Sequence, residues 1–260
     1  MLLTPLPSIP LIQPGDDLAS VILHSLTHAN LQLASGDIIV LAQKIVSKAE
    51  GRLVNLSSVI PSARANELAP QAEKDPRLVE LILRESRTVL RVRPGTIIVE
   101  HRLGFVCANA GIDHSNVNSP LPEGEGQGMR TGDWMLLLPE NPDASAARIR
   151  QQLEAASGVK IGVLIIDSHG RAWRLGVVGA AIGFSGLPGL VDMRGQPDLF
   201  GYNLRITLIA AADELAAAAS LVMGQAAEGT PVVHVRGFPY PLREGSLQEL
   251  LRPRDQDMFR

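Results

Sequence analysis

From Ile161 to Ile166 the chain carries no polar side chain, and the next residue is Asp167. A run this short and this apolar reads as a buried segment. It therefore delivers a carboxylate to the rim of the core. An ionised group held there has lost its water and needs a counter-charge. Two further polar stretches follow apolar or alanine-rich runs: Cys107-Ala-Asn-Ala-Gly-Ile-Asp113-His-Ser-Asn116-Val and Met223-Gly224-Gln225-Ala-Ala-Glu228-Gly229. Brought together, Asp113 and Asp167 would suit a hard divalent cation, which prefers oxygen ligands.

The 260 residues suffice for one large domain or two small ones. Hydrophobic residues make up 45% but aromatics only 3%, so the core must be built from Leu, Ile, Val and Ala. A net charge of −3 leaves no electrostatic footprint for nucleic acid. No apolar stretch is long enough for a membrane span. The N-terminal Met1-Leu-Leu-Thr-Pro lacks the positive region of a signal peptide, so a cytoplasmic location is expected. The single cysteine, Cys107, excludes an internal disulfide and reads as a small buried residue.

Local signals order the elements. Asp16-Asp17 opens a helix from Leu18, Asp75-Pro76 a second, and Asn141-Pro142-Asp143 a third ending near Gly158. Asp37 to Ala42, Thr88 to Val92, Thr96 to Val99, Phe105 to Cys107, Ala172 to Val178, Asn203 to Ile209 and Pro231 to Val235 read as strands. Ala212 to Met223 reads as a helix. This irregular alternation predicts an α+β (mixed α/β) fold: irregular mixed sheets with flanking helices. Asp167-Ser168-His169-Gly170 on its own reads as a turn. Gly176, Gly179, Gly183 and Gly186 mark close approach of backbone to backbone or to ligand. There is no G-x-x-x-x-G-K-[ST] and no H-E-x-x-H.

The segments Ile9-Pro-Leu-Ile-Gln-Pro-Gly-Asp-Asp-Leu18, Ile45-Val-Ser-Lys48-Ala-Glu-Gly51, Asn109-Ala-Gly-Ile-Asp113-His-Ser-Asn116-Val, Asp167-Ser-His-Gly-Arg171 and Gly176 to Gly186 occur in that order. Met223 to Pro231 and Val235-Arg-Gly237 follow. Together they resemble the coenzyme F420 gamma-glutamyl ligase family, over about residues 9 to 250. The resemblance implies an enzyme that uses GTP to join L-glutamate to the lactyl carboxylate of the deazaflavin precursor F420-0, through an acyl phosphate. Further gamma-linked glutamates would follow. It implies two Mg2+ or Mn2+ sites, with Asp113 and Asp167 holding the first metal and Ser168 and Gln225 the second. A monovalent cation such as K+ is an additional candidate.

By the same resemblance Pro10, Leu11, Ile12, Gln13, Gln43, Lys44, Lys48, Asn116, Gly224, Gln225, Glu228 and Gly229 would contact GTP. An intertwined homodimer is implied as well. Arg171, and Arg174 beside it, are added on chemistry alone, as partners for phosphate or carboxylate. Asp113, Asp167 and Arg171 are thus the catalytic candidates. The ligase domain is expected to span 1–250, either undivided or as two subdomains, with 251–260 as a tail or linker stub. The glycine-rich stretch 119–132 would be a lid or a disordered insertion. The residues alone leave open a metal-dependent GTP phosphohydrolase or a non-catalytic nucleotide-binding module.

Overall fold

The computed structural model describes residues 1–114 and 133–257. Asn116 and the glycine-rich stretch expected as a lid lie outside the described residues.

The architecture is the expected α+β. Its centre is a five-stranded sheet in the order β1-β12-β2-β8-β9, formed by Leu2–Pro5, Val232–Arg236, Ile38–Ala42, Gly162–Arg171 and Arg174–Ser185. All neighbours are antiparallel except β2 and β8, which run parallel with Ala42 opposite Ile166. Ile38 to Leu41 are fully buried because both sheet faces are covered. On one face pack α1 (Leu18–His28) and α5 (Pro142–Ser157), on the other α6 (Ala211–Met223).

Caps start the helices where the sequence predicts. Asp17 accepts from the Ala19 N–H, Asp75 from Arg77, and Asn141 from Ala144. Gly158, in the left-handed region, ends α5.

Between β2 and β8 the chain builds a second body. It contains α2 (Gln43–Ala49), β3 (Leu53–Asn55), α3 (Ala63–Ala72), α4 (Pro76–Arg84) and the meander β4 (Ser86–Arg93), β5 (Thr96–His101) and β6 (Val106–Ala108). This body has its own core around Leu68, Val79, Ile82, Ile97 and Val99. β7 (Trp134–Leu136) pairs with β3, and the two-residue strands β10 (Val191–Asp192) and β11 (Leu208–Ile209) pair with each other.

Two expectations change. Asp167 to Arg171 is no turn. β8 runs straight through it, paired with β9 from Asp167–Ala180 to Arg171–Arg174. The reversal falls at Trp173, whose φ is +64°. A strand ribbon extending beyond the core needs no apolar face, so the loss of hydrophobic pattern there does not mark its end. The strand expected over Asn203 to Ile209 shrinks to Leu208–Ile209.

Of the glycine series, Gly179 and Gly183 serve close packing. A Cβ on Gly179 would lie 2.4 Å from the Ala216 carbonyl oxygen of α6, and one on Gly183 2.3 Å from Pro142 Cβ of α5. Gly176 faces open space.

Candidate functional site

The parallel pair β2–β8 aims two chain ends at one edge of the sheet. The residue after Ala42 is Gln43, and the residue after Ile166 is Asp167. Beside them opens a cleft of about 250 Å³. Pro10, Leu11 and Ile12 line one wall, Gln43, Lys44 and Lys48 of α2 another, and Asp167 and Ser168 the floor. Gly224, Gln225, Glu228 and Gly229, just past α6, complete it.

Asp113 enters from the second body. A pair of backbone hydrogen bonds joins it to Leu136, at 2.9 and 2.8 Å. Its carboxylate accepts from Gln43 Nε2 at 2.9 Å and lies 3.4 Å from Lys44 Nζ. Gln43, itself buried, is oriented by the Ser47 hydroxyl one helical turn on, which donates to Gln43 Oε1 at 2.8 Å. Burial raises the Asp113 pKa; Lys44 opposes the rise, and the nearby negative charge of Asp167 adds to it. The two carboxylates, 54 positions apart in sequence, are therefore electrostatic neighbours.

Asp167 Oδ2 lies 3.0 Å from His169 Nε2, two residues along the same strand face. Ser168 points to the other side. Its hydroxyl donates to Gln225 Oε1 at 2.8 Å, and Gln225 Nε2 donates to Ser220 Oγ at 2.8 Å. Lys48 is pushed below the ordinary lysine pKa by burial and by the neighbouring Lys44 ammonium. Two cations side by side at the mouth of a cleft favour an anion between them.

The Gly224–Gly229 turn folds back on itself. Glu228 accepts from the Ala226 N–H at 2.7 Å and packs so closely on Gly224, whose φ is +74°, that a Cβ there would lie 2.3 Å from Glu228 Cδ. Only glycine fits.

Among the described residues no three His, Cys, Asp or Glu side chains converge. The strand end instead carries two pairs, the carboxylates of Asp113 and Asp167 and the Ser168 hydroxyl with the Gln225 amide oxygen, and oxygen donors of this kind suit a hard cation rather than zinc.

A profile of the F420-0:Gamma-glutamyl ligase family matches residues 7–237. The chain belongs to that family. It is 48% identical over 254 residues to the "Coenzyme F420:L-glutamate ligase" of Methanothermobacter thermautotrophicus, spanning 97% of this chain and 96% of that protein. The protein of the same name from Methanopyrus kandleri is 46% identical, spanning 98% and 96%. That from Methanocaldococcus jannaschii is 44% identical, spanning 89% and 88%.

Most residues expected at the ligase site line one cleft or, like Asp113, bond to a residue that does. Two do not. Gln13 does not line the cleft, and its backbone N–H is taken by Asp16 Oδ2 at 2.7 Å. Arg171 sits near the tip of the β8–β9 ribbon and donates to the Leu175 carbonyl at 3.1 Å. Because β8 stays extended, it carries Arg171 about 13 Å beyond Asp167, at roughly 3.3 Å per residue. Arg174 opens the returning strand beside it.

Ser47 and Ser220, which orient Gln43 and Gln225, were not anticipated. Ser47 stands at i+4 from Gln43, a signal visible only once α2 is known to be a helix. Cys107 is buried, and burial together with Asp167 pushes its thiol up to about 12, so it supplies no thiolate.

Proposed function

We propose that this chain uses GTP to join L-glutamate to the lactyl carboxylate of F420-0 and then adds further gamma-linked glutamates, releasing GDP and phosphate. The supporting observation is the meeting of Asp113, Asp167, Ser168, Gln225, Lys44 and Lys48 around one strand-end cleft in a chain of this family.

The Pro10–Ile12 wall and the Gly224–Gly229 turn would embrace the nucleotide, with its phosphates directed to Lys44 and Lys48. Phosphate oxyanions would oppose the lowering of the Lys48 pKa by burial and Lys44 and favour its ammonium form. Asp113, Asp167, Ser168 and Gln225 would hold Mg2+ or Mn2+, which when bound neutralises phosphate charge and orients the transferring group. The terminal phosphoryl group passes to the lactyl carboxylate oxygen. The glutamate α-amine then attacks the acyl carbon, and phosphate leaves with the electrons of the broken C–O bond. Since phosphoryl transfer depends on positioning more than on covalent help, the protein's contribution is a fixed frame. Ser47 holds Gln43, Gln43 holds Asp113, and Ser220 holds Gln225.

A homodimer belongs to the same reading. Trp173, Leu175, Leu199, Phe200, Ile206 and Leu221 are each at least 87% exposed, and a second copy of the chain would cover such side chains. Light scattering at the mass of two chains is expected; a monomer at micromolar concentration would remove the dimer.

The deciding assay incubates the protein with GTP, Mg2+ or Mn2+, L-glutamate and F420-0, and reads successive glutamate additions by mass. Phosphate release from GTP without glutamate and precursor, and no adduct with them, would make the chain a phosphohydrolase. Tight GTP binding with no turnover would make it a nucleotide sensor.

A further inference from the structure

Three consecutive residues just before Asp113 are left-handed: Asn109 at φ +51°, Ala110 at +53° and Gly111 at +64°. Only the last is a glycine. For a residue with a Cβ this conformation is unfavourable, and a run of it persists only where the surroundings enforce it. Here each residue is enforced separately. β5 and β6 pair Ile98 with Ala108, so the next rung would set Ile97 against Asn109. The main chain turns away at that point, and the Asn109 side chain takes over, with Oδ1 accepting from the Ile97 N–H at 3.0 Å. Ala110 is fully buried in the core of the second body. Gly111 lies under Leu138, so close that a Cβ would sit 2.7 Å from Leu138 Cδ1. The Ile112 N–H donates to the Asn109 carbonyl at 3.1 Å and closes the turn, and Asp113 then docks on Leu136.

We infer that this left-handed turn sets the rung on which Asp113 meets β7, and that Asn109 is its positioning residue. The inference rests on the proposed role of Asp113 as a metal ligand. In a two-residue strand period, a slip of one residue at Leu136 turns the Asp113 side chain to the opposite face, away from Gln43 and Lys44. The turn has only Ile112 between it and Asp113, so an unwound turn has no other segment in which to absorb the slip. Asn is suited to the post twice over: it tolerates the left-handed region better than other residues with a Cβ, and its amide oxygen replaces a missing ladder acceptor.

The test compares Asn109→Ala, Asn109→Gly and Asn109→Asp in the full chain by Mn2+ titration, followed by electron paramagnetic resonance, and by steady-state kinetics. Asn109→Ala loses both the tolerance and the acceptor. Asn109→Gly keeps the tolerance alone and guards against a variant that fails to fold. Asn109→Asp keeps both. Asn109→Gly, folded by circular dichroism, is expected to bind Mn2+ about tenfold or more weakly, as when a metal ligand loses its supporting partner. Its kcat should fall while the KM for GTP stays near wild type, and Asn109→Asp should restore both affinity and kcat. Wild-type Mn2+ affinity in folded Asn109→Gly would overturn the inference and leave the metal site standing. A wild-type protein that binds no Mn2+ at all would bring down the site and the inference together.

Discussion

Gly179 lies opposite Ser168 on the neighbouring strand and directly beneath Ser220 of α6. In Gly179→Ala the added methyl carbon would stand 2.4 Å from the Ala216 carbonyl oxygen and 2.5 Å from Ser220 Cβ, where ordinary contact begins at 3.4 Å. The Ala216 contact is backbone, so no rotamer relieves it. Helix α6 must retreat by about 1 Å. Overpacking of this kind costs about 1–3 kcal/mol. For a chain of this size each kcal/mol lowers Tm by roughly 2–4 °C. The larger effect should fall on function. Ser220 accepts from Gln225, which accepts from Ser168, so a helix displaced by 1 Å carries a proposed ligand with it. A misplacement of that size at a reacting centre lowers turnover by about 10²-fold. Differential scanning fluorimetry and glutamate incorporation should both register the change. Gly170→Ala, which meets nothing within 4 Å, should leave both near wild type. A Gly179→Ala protein with wild-type melting and turnover would show that α6 does not rest on β9 at this point.

Asp113→Asn should abolish turnover and leave the fold intact, since it removes a charge and little volume; a much lower Tm with activity surviving in the folded fraction would assign Asp113 a structural role. Lys48→Ala should raise the GTP concentration needed for half-maximal rate, and an unchanged nucleotide titration would exclude Lys48 from the phosphate site. His101, fully buried and stacked on Phe105 at 5.2 Å, has its pKa lowered from 6.5 to about 4 by burial. The folded chain therefore binds fewer protons than the unfolded one between these values. The stability this contributes is present above pH 6.5 and is lost as pH falls toward 4, by up to roughly 3 kcal/mol. His101→Asn should flatten the pH dependence of urea unfolding across that window; parallel profiles for variant and wild type would dismiss the effect.

The elements legible in the sequence were those with local chemistry. Asp17, Asp75-Pro76 and Asn141-Pro142 announce helices because capping is settled within three residues, and Gly158 ends one for the same reason. The apolar runs at Ile38 and Gly162 announce buried strands but not that they pair in parallel, which depends on everything between them. Gly179 and Gly183 were ambiguous because their meaning lies in the helices above them. α3 escaped notice with Pro70 in its last turn, a residue that ordinarily argues against a helix. At the site, Asp113 and Asp167 stood out as carboxylates beside apolar runs, yet their proximity was legible only through the family pattern. Arg171 was put forward on its chemistry alone, and its place near the ribbon tip was not legible because extended strand and turn look alike where a ribbon leaves the core.

The sheet's middle strand is synthesised long before its neighbours. Val40 pairs with Leu164 on one side and Val233 on the other, both more than a hundred residues downstream. On the ribosome, Ile38 to Leu41 must wait as a sticky apolar segment with both hydrogen-bonding edges open until nearly the whole chain has emerged. Such delayed pairing predicts slow, chaperone-assisted maturation, while the β4-β5-β6 meander, paired on local contacts by Ala108, is free to form early as a nascent unit.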